Sequence, residues 1–523
     1  SIVGVMLFQS LYTAIGIFTN NNIWKGLFAF IATFGGNAFI LYELYVLHKD
    51  TSWFASATRV IPYTINEFPS YSILLGDMHG HYISVAFFVI SIFLSLFFWK
   101  EVYFSRMRDA KRTTLVGLVL GVFVGFMYLT NSWDVISLVF LNFLLFLFGF
   151  FTTNKKTIPQ QWFKREVLQK GILLAVVTGI IAGTAFIVSR FTFLPPVNGI
   201  GINTVFSEVK DILLLFGHFY LIVVIALFIA ILTRSTYGAL TKSQKIRIQM
   251  STILVVAATL LIFFCEIFFF KDVFSSLNPA YSRTNTVFKL YYHVWILLSI
   301  GGFGLLSVYL PILFSKKKWI KVSAVIVIFL IAIWTVMLSY PIHAVRQYFG
   351  TDTVPFSAER VWNATYLDGF AHVKTHQNDY DLLTFLQLRP FTRIIEGTDY
   401  SSYSYTARFS TYSGHVAVMG WPLHSVQWHN GYEGIGIKLD GEKTKVDIAA
   451  RVADIERLYK STSSNEIREI VKKYGAQLVI YGEKEQAYIN DDLRENKLKA
   501  MNEACTKIYE NGTGMIFDCS END

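Results

Sequence analysis

Residues 66–81 read NEFPSYSILLGDMHGH and hold the densest group of side chains able to do acid–base or metal chemistry. Asp77, His79 and His81 alternate, so an extended segment would put all three on one side. A carboxylate beside imidazoles can hold a divalent cation, or can serve as base and proton carrier. The plainer alternative is a turn at Gly76 and Asp77 that caps a helix starting near His81. Glu67, shortly before Pro69, is a further candidate and otherwise a solvated loop residue. A second group lies in RTNTVFKLYY, which sets Arg283, Asn285 and Lys289 just ahead of an apolar helix. Arg suits a phosphate through paired hydrogen bonds and Lys as a point charge. The alternative is interfacial anchoring, with Tyr291, Tyr292 and Trp295 as an aromatic belt. Glu266, near the end of the preceding apolar run, is costly unless paired, and Arg283 or Lys289 is its expected partner. TNSWD at 130–134 adds Asn131 and Asp134, as helix caps or as supports of a site. PPVNGIG at 195–201 reads as an irregular loop, which at membrane depth must border protein or a water-filled cavity. Further on, Arg408, Trp421, His424 and Trp428 combine flat aromatic faces with hydrogen-bonding neighbours, a surface for sugar rings or else a packed aromatic core.

These residues must be positioned by apolar helices. Hydrophobic residues make up 53% of the 523 and charged ones only 16%, with 47 Phe and 28 Tyr, far from a soluble composition. Ten runs approach the roughly 20 residues that a span requires: 2–18, 24–47, 82–99, 114–130, 132–152, 171–190, 212–233, 250–270, 290–314 and 322–340. The fourth and fifth are separated by little more than Asn131 and read as a tight helical hairpin. The first run looks already under way at residue 2, with no charged leader, so a fragment of a longer chain is expected. The net charge of +9 comes from short basic clusters between apolar runs, which speaks against a nucleic-acid partner. Loops 100–112, 155–170, 234–247 and 316–321 carry 18 Lys or Arg together, against 7 in loops 48–81, 190–211 and 271–289. By the positive-inside rule the first set is cytoplasmic and the second outside. Ten crossings then leave the C-terminus outside as well, in the cytoplasmic membrane, and put every unusual polar cluster on that outer face.

The expected organisation is a multispanning domain over 1–345 and an extracytoplasmic α/β domain over 346–523. In the latter, 378–388 and 463–474 have helical spacing, and Arg393-Ile394-Ile395 and Leu478-Val479-Ile480-Tyr481 are β-rich. Asn511-Gly512-Thr513-Gly514 supplies the turn of a closing hairpin over 505–519. A turn centred on Gly512 sets Tyr509 against Met515 and Cys505 against Cys519. That pair is either a disulfide, which an outside domain permits, or two separately buried thiols, while Cys265 inside a span stays free.

In this order, NEFPSYSILLGDMHGH, TNSWD, PPVNGIG, RTNTVFKLYY and RFSTYSGHVAVMGWPLHSVQW resemble the YYY membrane protein family, domain of unknown function 2298. The likeness extends to LDGF at 367–370, RVADIERLY at 451–459 and the final YENGTGMIF. The family in turn resembles GT-C glycosyltransferases, membrane enzymes that take a sugar from a polyprenyl phosphate carrier on the outer side. The resemblance implies a GT-C-like helical fold, a polyprenyl phosphate-linked donor and an acceptor that it leaves open. Its matched positions are Glu67, Asp77, His79, His81, Asn131, Asp134, Glu266, Arg283, Asn285 and Lys289. It also implies a further span and an acidic, tyrosine-rich outer loop ahead of the present sequence, where such enzymes generally carry their catalytic carboxylate.

Three functions compete. A glycosyltransferase would use Arg283, Lys289 and Asn285 on the donor phosphate, with Asp77, His79, His81 and Glu67 as the groups that deprotonate the acceptor, or with Asp77, His79 and His81 holding a divalent cation. A transporter or lipid flippase would place ionisable groups near the bilayer midplane and often show internal repeats, and neither is visible. A membrane-anchoring protein with a sugar-binding outer domain needs no catalysis at all.

Overall fold

The computed structural model describes residues 2–49, 52–104, 109–151, 160–192, 199–272, 274–275, 278–315, 319–349, 373–399, 404–429, 433–437 and 443–520. Ser1–Arg190 with Asn198–Arg360 form one compact unit and Val361–Asp523 belong to a second. In the first unit the helices are α1 (Ile2–Ile15), α2 (Asn22–Phe34), α3 (Phe39–Val46), α4 (Pro69–Leu75), α5 (Gly80–Tyr103), α6 (Ala110–Phe151), α7 (Gln160–Thr192), α8 (Val209–Leu232), α9 (Lys242–Ile267), α10 (Thr284–Phe314) and α11 (Ile320–Phe349). Among the described residues seven are long and apolar enough to cross a membrane, and eight if the α2–α3 pair, bent by 59°, is one broken span. The chain is a polytopic α-helical membrane protein.

Helix α6 is not one rod. Asn131 has φ −151° and ψ 90°, and the contacts on either side of it run in opposite directions along α5. Before the break, Phe126 and Phe123 both reach Phe87, while Thr130 lies against Gly80, an antiparallel progression. After it, Asp134 meets Ser84, Asn142 donates to Ser95 at 2.9 Å and Tyr103 donates to the Leu145 carbonyl, a parallel one. A helix reversing at Asn131 explains both. Gly80 permits the turn to sit there, since a Cβ on it would lie 2.2 Å from the Thr130 carbonyl oxygen.

The connections collect at two ends of this bundle. At one end, Thr284 Oγ1 donates to the Tyr63 carbonyl at 2.7 Å and the Asn131 turn meets the start of α5. His343 and Gln347, late in α11, both donate to the Ser52 carbonyl at 2.7 Å. At the other end, Arg247 donates to the Phe18 carbonyl at 3.0 Å and Lys242 stands over the Phe104 ring. The last apolar helix therefore ends on the same side as the loop bearing Glu67 and Asp77. Most of α10 is buried, with α1, α2, α6, α8, α9 and α11 packed against it, and its first turns reach that same end.

Two expectations are corrected here. The apolar run 250–270 does not stay helical to its end: α9 stops at Ile267, and Phe268–Phe270 (β2) pairs antiparallel with Ile200–Ile202 (β1). PPVNGIG is accordingly not irregular throughout, because Ile200 and Gly201 are strand residues, while 195–198 lie outside the described residues. Three consecutive phenylalanines satisfy a strand face as well as a span.

The second unit carries a five-stranded sheet. Its strands are β3 (Arg393–Ile395), β4 (Val416–Ala417), β7 (Leu478–Tyr481), β8 (Thr506–Asn511) and β9 (Gly514–Asp518), in the order β4-β3-β7-β9-β8, with a separate hairpin of β5 (Glu433–Ile437) and β6 (Lys443–Asp447). Strand β3 is parallel to β4 and β7, and β9 is antiparallel to β7 and β8. Ile394, Ile480 and Ile516 face the helix Gln377–Gln387 through Leu382, Leu383 and Leu386. Tyr459, from the helix Ile448–Lys460, donates to the Ile395 and Ile480 carbonyls. The closing hairpin differs in register from the expectation. Tyr509 faces Ile516, and a two-residue turn pairs Asn511 with Gly514. An irregularity between Lys507 and Tyr509 then shifts the register back by one, so Thr506 faces Asp518 and Cys505 does meet Cys519, in a disulfide. Cys265 is buried and unbridged.

Candidate functional site

Glu67 is delivered by a loop with few free polar groups. Asn66 donates its backbone N–H to Thr58 O at 2.8 Å, accepts the Ile61 N–H at 2.9 Å and donates to Thr64 Oγ1. Pro69 then opens α4, whose seven residues end at Gly76 in the left-handed region. Asp77 folds back on its own segment, accepting the His79 backbone N–H at 2.9 Å and pairing with the His79 ring. His81, in the first turn of α5, is buried between the Phe288 and Tyr292 rings.

The outcome is a cluster with a different membership from strict alternation. His81 Nε2 stands 3.6 Å from Glu67 Oε2 and 3.7 Å from Asp77 Oδ2. His79 turns toward Asp77 instead, so Glu67, ten residues earlier, is the third member beside Asp77 and His81. Lys289 reaches in from the second turn of α10, its Nζ 3.1 Å from His81 Nδ1 and 4.0 Å over the Phe288 ring. The two carboxyls are driven apart in acidity. Burial, with the Asp77 charge added, pushes Glu67 up to about 7 against the pull of Arg59, Lys289 and His79. Burial also works to raise Asp77, but the side-chain and backbone hydrogen bonds from His79 outweigh it and hold Asp77 below its ordinary value. One carboxyl is thus suited to carry a proton and its neighbour to stay charged.

A second buried network adjoins this one. Asp134 Oδ1 is 2.6 Å from His293 Nε2 and 2.6 Å from the Asn131 amide nitrogen, its other oxygen accepts from Ser84, and Ser137 Oγ lies 2.8 Å from His293 Nδ1. Asp134 is therefore held by side chains from α5, the Asn131 turn and α10. His293 was absent from the sequence candidates, although it stands one turn beyond Lys289 on the same helix face, and that spacing was its available signal.

The remaining candidates are engaged elsewhere. Arg283 is 5% exposed and donates to Glu266 at 3.0 Å and Ser207 Oγ at 3.1 Å, while Glu266 also accepts from Ser207 and from Tyr291. Asn285 donates to Asp272 at 2.7 Å. These contacts fasten the start of α10 and so position Lys289, and they engage both terminal nitrogens of the buried Arg283 guanidinium. Asp272 is pushed up by burial against the bonds from Asn285 and the local backbone. In the second unit Arg408 lies inside a buried ion-pair network. It is 3% exposed and spent on Asp379 at 2.6 Å and on Glu485 at 2.7 Å. Trp421 donates to the Ser404 carbonyl and packs edge-on against His424, both half-buried, and the Trp428 side chain lies outside the described residues.

No curated protein matches the chain. Residues 3–247 and 225–298 match the family described as uncharacterized membrane protein (DUF2298). That match spans more than half of the sequence, including α5, the Asn131 turn and the first turns of α10 that build the cluster, and the chain belongs to this family.

Proposed function

We propose that the protein is a membrane glycosyltransferase that moves a sugar from a polyprenyl phosphate-linked donor to an acceptor at the outer face of the cytoplasmic membrane. The observation that carries this reading is the meeting of Glu67, Asp77, His79 and His81 with Lys289 at the end of an apolar bundle. Loss of a phosphate leaving group requires charge neutralisation, which Lys289 supplies, and the acceptor hydroxyl requires a base, which the carboxyl pair supplies. Arg283 and Asn285 serve this site by holding α10 rather than by touching the donor. Ten crossings fit the reversal of α6 at Asn131, the broken α2–α3 pair and the short apolar α1. With the basic loops inside, the cluster and the C-terminal unit face outward.

The test uses the complete protein in membranes, supplied with labelled polyprenyl phosphate sugars. Transfer is expected, with Asp77→Asn and Lys289→Met each lowering it by about 100-fold or more. Absence of transfer from every donor tried, with the protein folded, would count against the reading, as would full activity in both variants.

A further inference from the structure

The geometry points to a divalent-cation site, of the Mn2+ or Zn2+ class, made by Glu67 Oε2, Asp77 Oδ2 and His81 Nε2. Three observations support it. The ligand atoms all lie within 4.8 Å of one another, although they come from the loop before α4, the turn after it and the first turn of α5. The His81 ring is 3% exposed, yet its Nε2 has no hydrogen-bond partner among the described residues. It is aimed between two carboxylates at 3.6 and 3.7 Å, too far for hydrogen bonds. Ligands of a single ion at metal–ligand distances near 2.1 Å stand roughly 3.0 to 3.5 Å apart, so the two His81 contacts need a contraction of a few tenths of an ångström, and the two carboxylate oxygens, within 4.8 Å of each other, close to the same separation around the ion.

The donor set selects the ion. A buried imidazole is wasted on Mg2+ or Ca2+, which take oxygen ligands, and the cluster has no thiolate for a soft metal. Two carboxylates and one imidazole suit Mn2+ or Zn2+ and leave coordination positions open for a phosphate oxygen, a use that rests on the transferase reading. Lys289 is not a substitute for the ion, because its ammonium lies on Nδ1, the far nitrogen of the ring. With an ion on Nε2 the ring proton sits on Nδ1, and Lys289 must then leave that contact. His79 stays outside the ligand set and orients Asp77 through the second carboxylate oxygen.

The full chain in detergent, stripped of metal, is titrated with Mn2+ while the free ion is followed by electron paramagnetic resonance, and Zn2+ is added as competitor. One Mn2+ per chain is expected, displaced by Zn2+. Glu67→Gln, Asp77→Asn and His81→Ala should each weaken binding by about 10- to 100-fold, whereas Lys289→Met, which removes charge but no ligand, should keep it. Thermal melts identify any variant that fails to fold, and the three ligand substitutions fail or survive independently. No binding by the folded wild type up to about 1 mM Mn2+ overturns the site, as does equal binding in every folded ligand variant, or loss in folded Lys289→Met alone. Sugar transfer without any bound ion would overturn the site and spare the transferase; a bound ion without transfer would do the reverse.

Discussion

Lys497 is fully buried in the second unit, where its ammonium donates to the Leu458 carbonyl near the end of the helix Ile448–Lys460. Leu458 is among the last four residues before the cap, so its carbonyl belongs to the group that a helix leaves unpaired, and a cation there also meets the negative end of the helix dipole. Burial nonetheless pushes the amine down to about 7 from 10.5, with Glu466 opposing. Between those two values the unfolded chain binds more protons than the folded one. Stability contributed by this group is therefore greatest above the upper value, falls as pH drops from 10.5 to 7 and is flat below. Amide exchange of β7 and β9 in the full chain should show protection rising with pH in that window, with a slope of up to about 1.4 kcal/mol per unit. Lys497→Met should remove the slope, and a slope that survives would place its origin elsewhere. Glu396, pushed up to about 7 by burial against bonds from Ser410 and Phe409, acts with the opposite sign and in a separate window, between 4.5 and 7.

Among the elements, the close approach of α5 to the Asn131 turn makes the sharpest demand on one residue. An Ala at Gly80 brings a Cβ to 2.2 Å from a backbone oxygen, which cannot step aside as a side chain would, and His81 is the next residue along. Gly80→Ala should cost about 2 kcal/mol or more in thermal unfolding of the detergent-solubilised chain. Gly179→Ala, where nothing lies within 4 Å of the added atom, should be neutral or slightly stabilising. Similar behaviour of the two would refute the steric account. The long apolar runs and the Asn131 hairpin were legible in the sequence because each is a continuous hydrophobic stretch with one polar break. The β1–β2 pair was not, since Phe268–Phe270 prolongs an apolar run without any change of period. Asp77, His79 and His81 were visible by type, but their convergence with Glu67 depends on α4 folding back, which spacing alone does not encode. His293 was hidden for the opposite reason, a lone imidazole inside an apolar helix, and only its contact with Asp134 reveals its role.

For the whole molecule, the decisive relation is that α11 ends beside Ser52, at the end of the bundle that holds the Glu67–Asp77–His81 cluster. Trp53→Cys and Asn496→Cys, both at exposed positions, should be modified by an impermeant thiol reagent together, from outside intact cells. Modification of one without the other would break the relation, and protection of both until lysis would invert the orientation. Native thiols interfere little, because Cys265 is buried and the other two cysteines are bridged. The bridge has a consequence of its own. On the proposed topology, with the C-terminal unit outside, an inverted molecule would carry Cys505 and Cys519 into a reducing compartment, where the bond does not persist. The fraction of chains with free thiols at these two positions is then a built-in gauge of misinsertion, readable from the unmodified protein by gel mobility with and without reductant.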